Sequence, residues 1–510
     1  MKVSPLDAAL NLLPKRADFE QAYDAGRAQV VWAEFPADTD TPVSVMLKLG
    51  QERRFCTLLE SVEGGAVRGR YSFIALAPDL VWRCHGKSAE ICRDVGDGPL
   101  AYVPETTDTM TSLRALVAAS RIPMPDQLPP MAAGLIGYMG YDTIRLVENI
   151  PDTNPDPLGI PDGMFMRPTL TVVFDNVADM MTVVTPVYPK AGQDAAGAYF
   201  EAERRIASIL TALERPLPHH VPATAARFEE AVSNVGREGY HAMVAKAKEY
   251  ILAGDIFQVV PSHRMRVPFT LPSFALYRAL RRLNPSPFLF HLNLDGFAIV
   301  GSSPEILVRL REGKVTIRPI AGTRPRGKTK AQDQALAAEL LADPKELSEH
   351  LMLLDLGRND VGRVCKPGTV KVTEQMVIER YSHVMHIVSN VEGEIAPQYD
   401  AMDALMAGFP AGTVSGAPKV RAMEIIDELE KERRSFYGGA IGYLSANGDM
   451  DTCIALRTGV VKDGQLIVQA GGGVVVDSDP ESEWQETLNK ARALVRAAEE
   501  ALKFFAGGNR

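Results

Sequence analysis

Two pairs of glutamates and a run of glycines are the residues in this chain best suited to chemistry. Glu483 and Glu486 lie three apart in DPESEWQETLNK, and Glu346 and Glu349 lie three apart in PKELSEHLMLLDL. At that spacing two side chains share one face of a helix, so each pair can converge on a cation. Gly471, Gly472 and Gly473 follow Leu466-Ile467-Val468, an apolar stretch short enough for a buried strand. Without side chains they let a ligand reach backbone N–H groups. Two helices with inward carboxylates beside a glycine-rich strand end describe a site for a Mg2+-bound, carboxylate-bearing small molecule.

Further stretches carry weaker signals. Glu305 in SSPEIL sits between a proline and a strand, a rigid place for a carboxylate, and Gly322-Thr323 in PIAGTRPRG suits a bound carboxylate through N–H and hydroxyl donors. His383 and His386 lie three apart in HVMHIVSN, a strand pattern that turns them to opposite sides. Arg457 interrupts an apolar strand in IALRT, where a buried guanidinium needs an anion. Taken singly, each has an ordinary reading as a turn residue, packed histidine, internal salt bridge or solvated helix face.

The elements that must position these residues follow from the pattern. After a helical lead-in over 1–30, the runs VVWAEF, VSVMLKLG, RFCTLLES, RYSFIALAP and LVWRCHG read as strands separated by short turns. Short turns imply antiparallel pairing, because parallel strands need a dozen or more residues to cross over. A hairpin is expected around Asp175-Asn176, with helices over Met110–Ile122, Asp194–Leu213, Arg237–Ala253, 330–343, 344–356 and Glu483–Phe505. The class is α+β, with large mainly antiparallel sheets covered by helices. Domains are expected over 1–215 and 228–506, joined by the proline-rich linker 216–227.

Composition excludes several functions. The chain has 510 residues, 46% of them hydrophobic, and a net charge of −9 with no basic block, so nucleic acid is an unlikely partner. No stretch approaches the roughly 20 apolar residues of a membrane helix, and MKVSPLDAALNLLPKRADFE is too interrupted for a signal peptide. Five dispersed cysteines without CxxC spacing read as reduced thiols. The expected location is cytoplasmic.

Taken in order, GDIFQVV, NPSPF, SSPE, PIAGTRPRG, KELSEHLMLLDLGRND, HVMHIVS, FPAGTVSGAPK, YGGAIGY, IALRT and AGGG with its acidic helix resemble the chorismate-utilising enzymes, specifically the anthranilate synthase large subunits. LLES and GRYSFI extend the resemblance to the N-terminal half. It implies conversion of chorismate and ammonia to anthranilate and pyruvate through aminodeoxyisochorismate, the first committed step of tryptophan biosynthesis. By this resemblance Glu349 and Glu486 are Mg2+ ligands, with Glu346 and Glu483 alongside. Gly322, Thr323 and Gly471–Gly473 hold substrate, Tyr437 and Arg457 grip the enolpyruvyl carboxylate, Thr413 lines the same pocket, and Lys490 adds positive charge. Glu305 is the general acid for the departing ring hydroxyl, and holds its proton near a cation only if burial raises its pKa. His386 belongs to the pyruvate elimination. The glycine run is GGG where the commoner form is GAG, a change expected to matter little.

Ala321 stands where aminodeoxychorismate synthases, the alternative reading, commonly carry a lysine that can form a covalent intermediate. Gln258 stands where isochorismate and salicylate synthases carry a lysine base, which disfavours water as nucleophile. A feedback site for L-tryptophan is implied at Glu60 and Ser61 for the amino group and Pro287, Phe288 and Leu289 for the indole, with Ile441 and Tyr443 behind. No glutaminase motif is present, so a separate glutamine amidotransferase subunit is the implied ammonia source. A tryptophan sensor without catalysis is the reading from another class; retention of Glu305, Glu349, His386, Arg457 and Glu486 speaks against it.

Overall fold

The computed structural model describes residues 10–50, 53–63, 67–218, 228–381 and 384–506. Among these, 21 strands are joined in one sheet system, and the pairings that carry the site are antiparallel. Tight turns explain this: Gly296, Gly313 and Gly464 take positive φ between successive strands. His383 and most of the 216–227 linker lie outside the described residues.

The two halves of the sequence meet by strand pairing. Strand Cys56–Glu63 lies against Phe288–Asn293 with Glu60 opposite Leu289. Strand Gly134–Met139 lies against Ala440–Ser445, with Tyr138 opposite Ile441. One core, including Phe19, Leu58, Val172, Phe274 and Leu494, packs helices Arg16–Asp24, Ala195–Leu213, Ser273–Leu283 and Pro480–Ala506 onto the sheet. A second, including Leu307, Leu354, Leu405 and Phe409, seats helices Pro344–Gly362 and Ala401–Gly408. No helix among the described residues is long and apolar enough to cross a membrane.

Several elements differ from the sequence reading. VSVMLKLG is the helix Pro42–Leu49, not a strand: Pro42 occupies the first turn, and Thr41 and Ser44 form a reciprocal capping box. RYSFIALAP and LVWRCHG belong to one strand, Val67–His85, whose register slips between Pro78 and Leu80. Helices Ala401–Gly408 and Lys419–Leu429 were not expected; the first is almost wholly buried, so no polar face marks its period. Arg457 stands outside regular strand, at φ +49°, between Met450–Ile454 and Thr458–Lys462.

Candidate active site

Asp343 caps helix Pro344–Gly362, its carboxylate accepting from the N–H groups of Lys345 and Glu346, which holds Glu346 and Glu349 in the first turns. Asp479 does the same work at the start of helix Pro480–Ala506, accepting from Ser482 N–H at 2.9 Å. Each glutamate then takes one partner. Arg324 Nη1 donates to Glu346 at 2.9 Å, Gln258 Nε2 to Glu349 at 3.1 Å, Ser478 Oγ to Glu483 Oε1 at 2.7 Å, and Lys490 Nζ pairs with Glu486 at 2.8 Å. Among the described residues, Glu483 Oε2 is buried with no hydrogen-bond partner. Burial pushes the pKa of Glu349 and of Glu483 up; Glu346 and Glu486 push Glu349 the same way, Glu486 does so for Glu483, and Lys490 opposes both.

These carboxylates stand at the ends of the glycine segments. A Cβ on Gly322 would lie 3.1 Å from Glu346 Oε2, and one on Gly472 would lie 2.7 Å from Glu483 Oε2. A methyl at Gly472 would therefore displace the tip of the flexible Glu483 side chain. Gly473 is equally close to the amide of Gln258. Among the described residues no three acidic, histidine or cysteine side chains form a cage by themselves. Mg2+ needs none: it is commonly held through one or two carboxylates, with waters and ligand oxygens completing the shell. The unpartnered Glu483 Oε2 and the crowded carboxylates fit such an ion.

Glu305 lies between strands Ala298–Ser303 and Ile306–Arg311 and is 7% exposed. Burial raises its pKa to about 8, against the hydrogen bond donated by Thr413 Oγ1 at 3.2 Å and the charge of Arg457. The carboxyl is thus mostly protonated at neutral pH. Burial lowers the pKa of Arg457, and among the described residues no hydrogen bond or ion pair occupies its guanidinium. A half-buried cation left in that state is a receptor for an anion.

His386 packs its ring edge-on to Tyr381, centroids 5.5 Å apart, and burial lowers its pKa to about 4. Its Nδ1 lies 2.9 Å from the carbonyl of Gly322 and 3.1 Å from Thr323 Oγ1. Only a protonated nitrogen can bond a carbonyl, so Nδ1 carries the hydrogen and Nε2 is the basic atom. Gly322 adopts φ +69° at a bulge in strand Ile320–Pro325, which turns its carbonyl toward the imidazole. Tyr437 is buried, and its hydroxyl would lie 3.2 Å from a Cβ on Gly471, whose carbonyl accepts from Lys490 Nζ at 3.0 Å. The expected residues so form one chain of neighbours, from Arg457, Glu305 and Thr413 through His386 and Gly322 to the carboxylates, and on to Lys490, Gly471 and Tyr437. Tyr381 and Arg324 were missed, since side chains that act on other side chains leave no spacing signal.

A separate cavity of about 720 Å3 is lined by Glu60, Ser61, Pro287, Phe288, Leu289, Ile441 and Tyr443 together. The Glu60 carboxylate is already held by Arg281 at 2.6 and 2.9 Å and by Tyr277 at 2.5 Å. Asp451 also lines the cavity, and its Oδ1 is buried with no hydrogen-bond partner among the described residues. Pro304 and Tyr381 form part of the wall, so the cavity backs onto Glu305 and His386.

The family model described as chorismate binding enzyme matches residues 74–496. The chain is 60% identical over 484 residues to anthranilate synthase component 1 of Cereibacter sphaeroides, covering 95% of this chain and 97% of the relative. It is 50% identical over 467 residues to that of Pseudomonas putida, covering 90% and 93%. The crystal structure of anthranilate synthase component I from Streptococcus pneumoniae superposes with a TM-score of 0.73 at 37% identity, over 84% of this chain and 92% of that one. The menaquinone-specific isochorismate synthase of Escherichia coli shares the fold at a TM-score of 0.68 and 21% identity, over 93% and 95%. With its motifs in one neighbourhood and the family model spanning residues 74–496, the chain belongs to the chorismate binding enzymes.

Proposed function

We propose that this chain is the aminating subunit of an anthranilate synthase, converting chorismate and ammonia to anthranilate and pyruvate. The observation that carries this is Glu305, a buried carboxyl with its pKa raised to about 8, close enough to Arg457 to feel its charge. Arg457 and Tyr437 hold the enolpyruvyl carboxylate, and Glu305 gives its proton to the departing ring hydroxyl while ammonia attacks the diene. Neutral His386 takes a proton at Nε2 during loss of pyruvate. Glu349 and Glu486, with Glu346 and Glu483 alongside, would hold Mg2+, which would supply positive charge against the ring carboxylate. Thr323 and the backbone of Gly322 and Gly471–Gly473 orient that end, and Lys490 adds positive charge.

Ala321 favours anthranilate over aminodeoxychorismate as product, because it offers no amine for a covalent intermediate. A glutamine amidotransferase subunit supplies ammonia in the cytoplasm. L-Tryptophan binds the 720 Å3 cavity and inhibits by favouring one of two arrangements of its wall, a part of which supports Glu305 and His386. Chorismate, Mg2+ and ammonium salt are incubated with the protein, with and without tryptophan. Anthranilate fluorescence that tryptophan suppresses is expected; aminodeoxychorismate as the sole product would overturn the assignment.

A further inference from the structure

Behind the substrate residues lies a buried ion pair that takes no part in the chemistry above. Glu430, at the end of helix Lys419–Leu429, and Arg434, just beyond it, are 5% and 2% exposed. Arg434 donates from Nε and Nη2 to the Glu430 carboxylate at 3.1 and 2.6 Å, from Nη1 to the carbonyl of Val414 at 2.5 Å, and from Nη2 to the carbonyl of Val260 at 2.6 Å. Its guanidinium lies over the rings of Tyr141 and Tyr437, 4.7 and 5.5 Å from their centroids. Glu430 Oε1 also accepts from the N–H and the hydroxyl of Ser262, both at 2.8 Å.

Each segment gripped this way carries a residue of the site. Val414 follows Thr413, the partner of Glu305. Val260 is two residues past Gln258, the partner of Glu349. Ser262 stands opposite Gly471 in the strand pairing, and Tyr437 N–H donates to the carbonyl of Arg434 at 3.2 Å. A buried ion pair is a poor way to gain stability, since well-packed apolar residues often replace one at no loss. What apolar residues cannot do is donate to two carbonyls in fixed directions, which the planar fork of arginine does.

We infer that Arg434, oriented by Glu430, is a positioning residue that fixes the Thr413–Val414 and Val260–Ser262 segments so that the acid, the glycine run and Tyr437 face one substrate. The inference rests on the proposed reaction. Its test uses the double variant Glu430→Leu/Arg434→Met, which removes both charges at similar volume, and Arg434→Lys, which keeps the charge but not the fork. Expected for the double variant are a Tm within a few degrees of the parent, kcat at least about 30-fold lower, and KM for chorismate changed by less than about threefold. Loosening Thr413 also weakens a bond that holds the Glu305 proton more acidic, so the basic limb of the kcat/KM profile moves to higher pH. Amide hydrogen exchange at 260–262 and 413–415 is expected to rise at least about tenfold.

A folded double variant with parental kcat, pH profile and exchange overturns the inference, as does activity lost only in proportion to unfolded protein. Should the double variant not fold, Arg434→Lys decides: kcat within about threefold of the parent overturns the positioning role, and a loss of about tenfold or more in folded protein supports it. If the parent turns over no chorismate, the proposed reaction falls, while exchange at the two segments still decides whether the pair positions them.

Discussion

Replacing Glu305 with glutamine keeps the shape and a partner for Thr413, and removes only the titrating proton. Burial takes this carboxyl from 4.5 to about 8, a shift on the order of 5 kcal/mol at about 1.4 kcal/mol per unit. A group whose folded pKa is raised binds more protons in the folded state. It therefore favours folding fully below pH 4.5 and loses that contribution as the pH climbs through about 8. Between pH 7 and pH 9 the parent should lose about 1.4 kcal/mol that Glu305→Gln does not lose. Urea unfolding of both proteins at the two pH values reads this difference. In the ammonia-dependent assay, at constant free NH3, kcat/KM of the parent should fall about tenfold per unit above pH 8, and kcat of Glu305→Gln should drop about 10²–10⁴-fold. A flat kcat/KM profile to pH 9.5 with a variant within about tenfold of the parent would refute the general-acid assignment.

Three further outcomes follow from the site. Glu349→Gln takes one charge from the carboxylate cluster, so calorimetry should show Mg2+ affinity weakened at least about 100-fold and turnover lost; a fully active variant contradicts the metal assignment. His386→Ala removes the neutral imidazole on Gly322 while leaving Glu305 and Arg457, so chromatography should show the aminated intermediate accumulating without pyruvate. Anthranilate at parental rate would rule that role out. Leu289→Ala opens the wall of the 720 Å3 cavity and should weaken tryptophan roughly tenfold by titration calorimetry, about 1.4 kcal/mol; no binding to the parent would end the feedback reading.

What was legible in the sequence is what depends on local period. Glu346 with Glu349 and Glu483 with Glu486 could be put on shared helix faces because a helix repeats every 3.6 residues whatever surrounds it. The antiparallel sheet was legible because its connections are short. Distant partners were not: Arg324 and Gln258 reach Glu346 and Glu349 from other stretches of chain, whereas Lys490 lies one helical turn from Glu486. VSVMLKLG has the composition of a strand, and only the Thr41-Pro42-Val43-Ser44 cap shows that it begins a helix. Arg457 interrupts the apolar run as its residue type suggests, with a left-handed backbone between two strands that the sequence does not show. The fold brings Arg281 onto Glu60 from 221 residues away, a partner with no local signal. A side chain's neighbour across the sheet is set by register, and one residue of slip turns every side chain to the other face. The pairing of Glu60 with Leu289 fixes that register between the halves. It places the cavity on the strands that lead to Glu305.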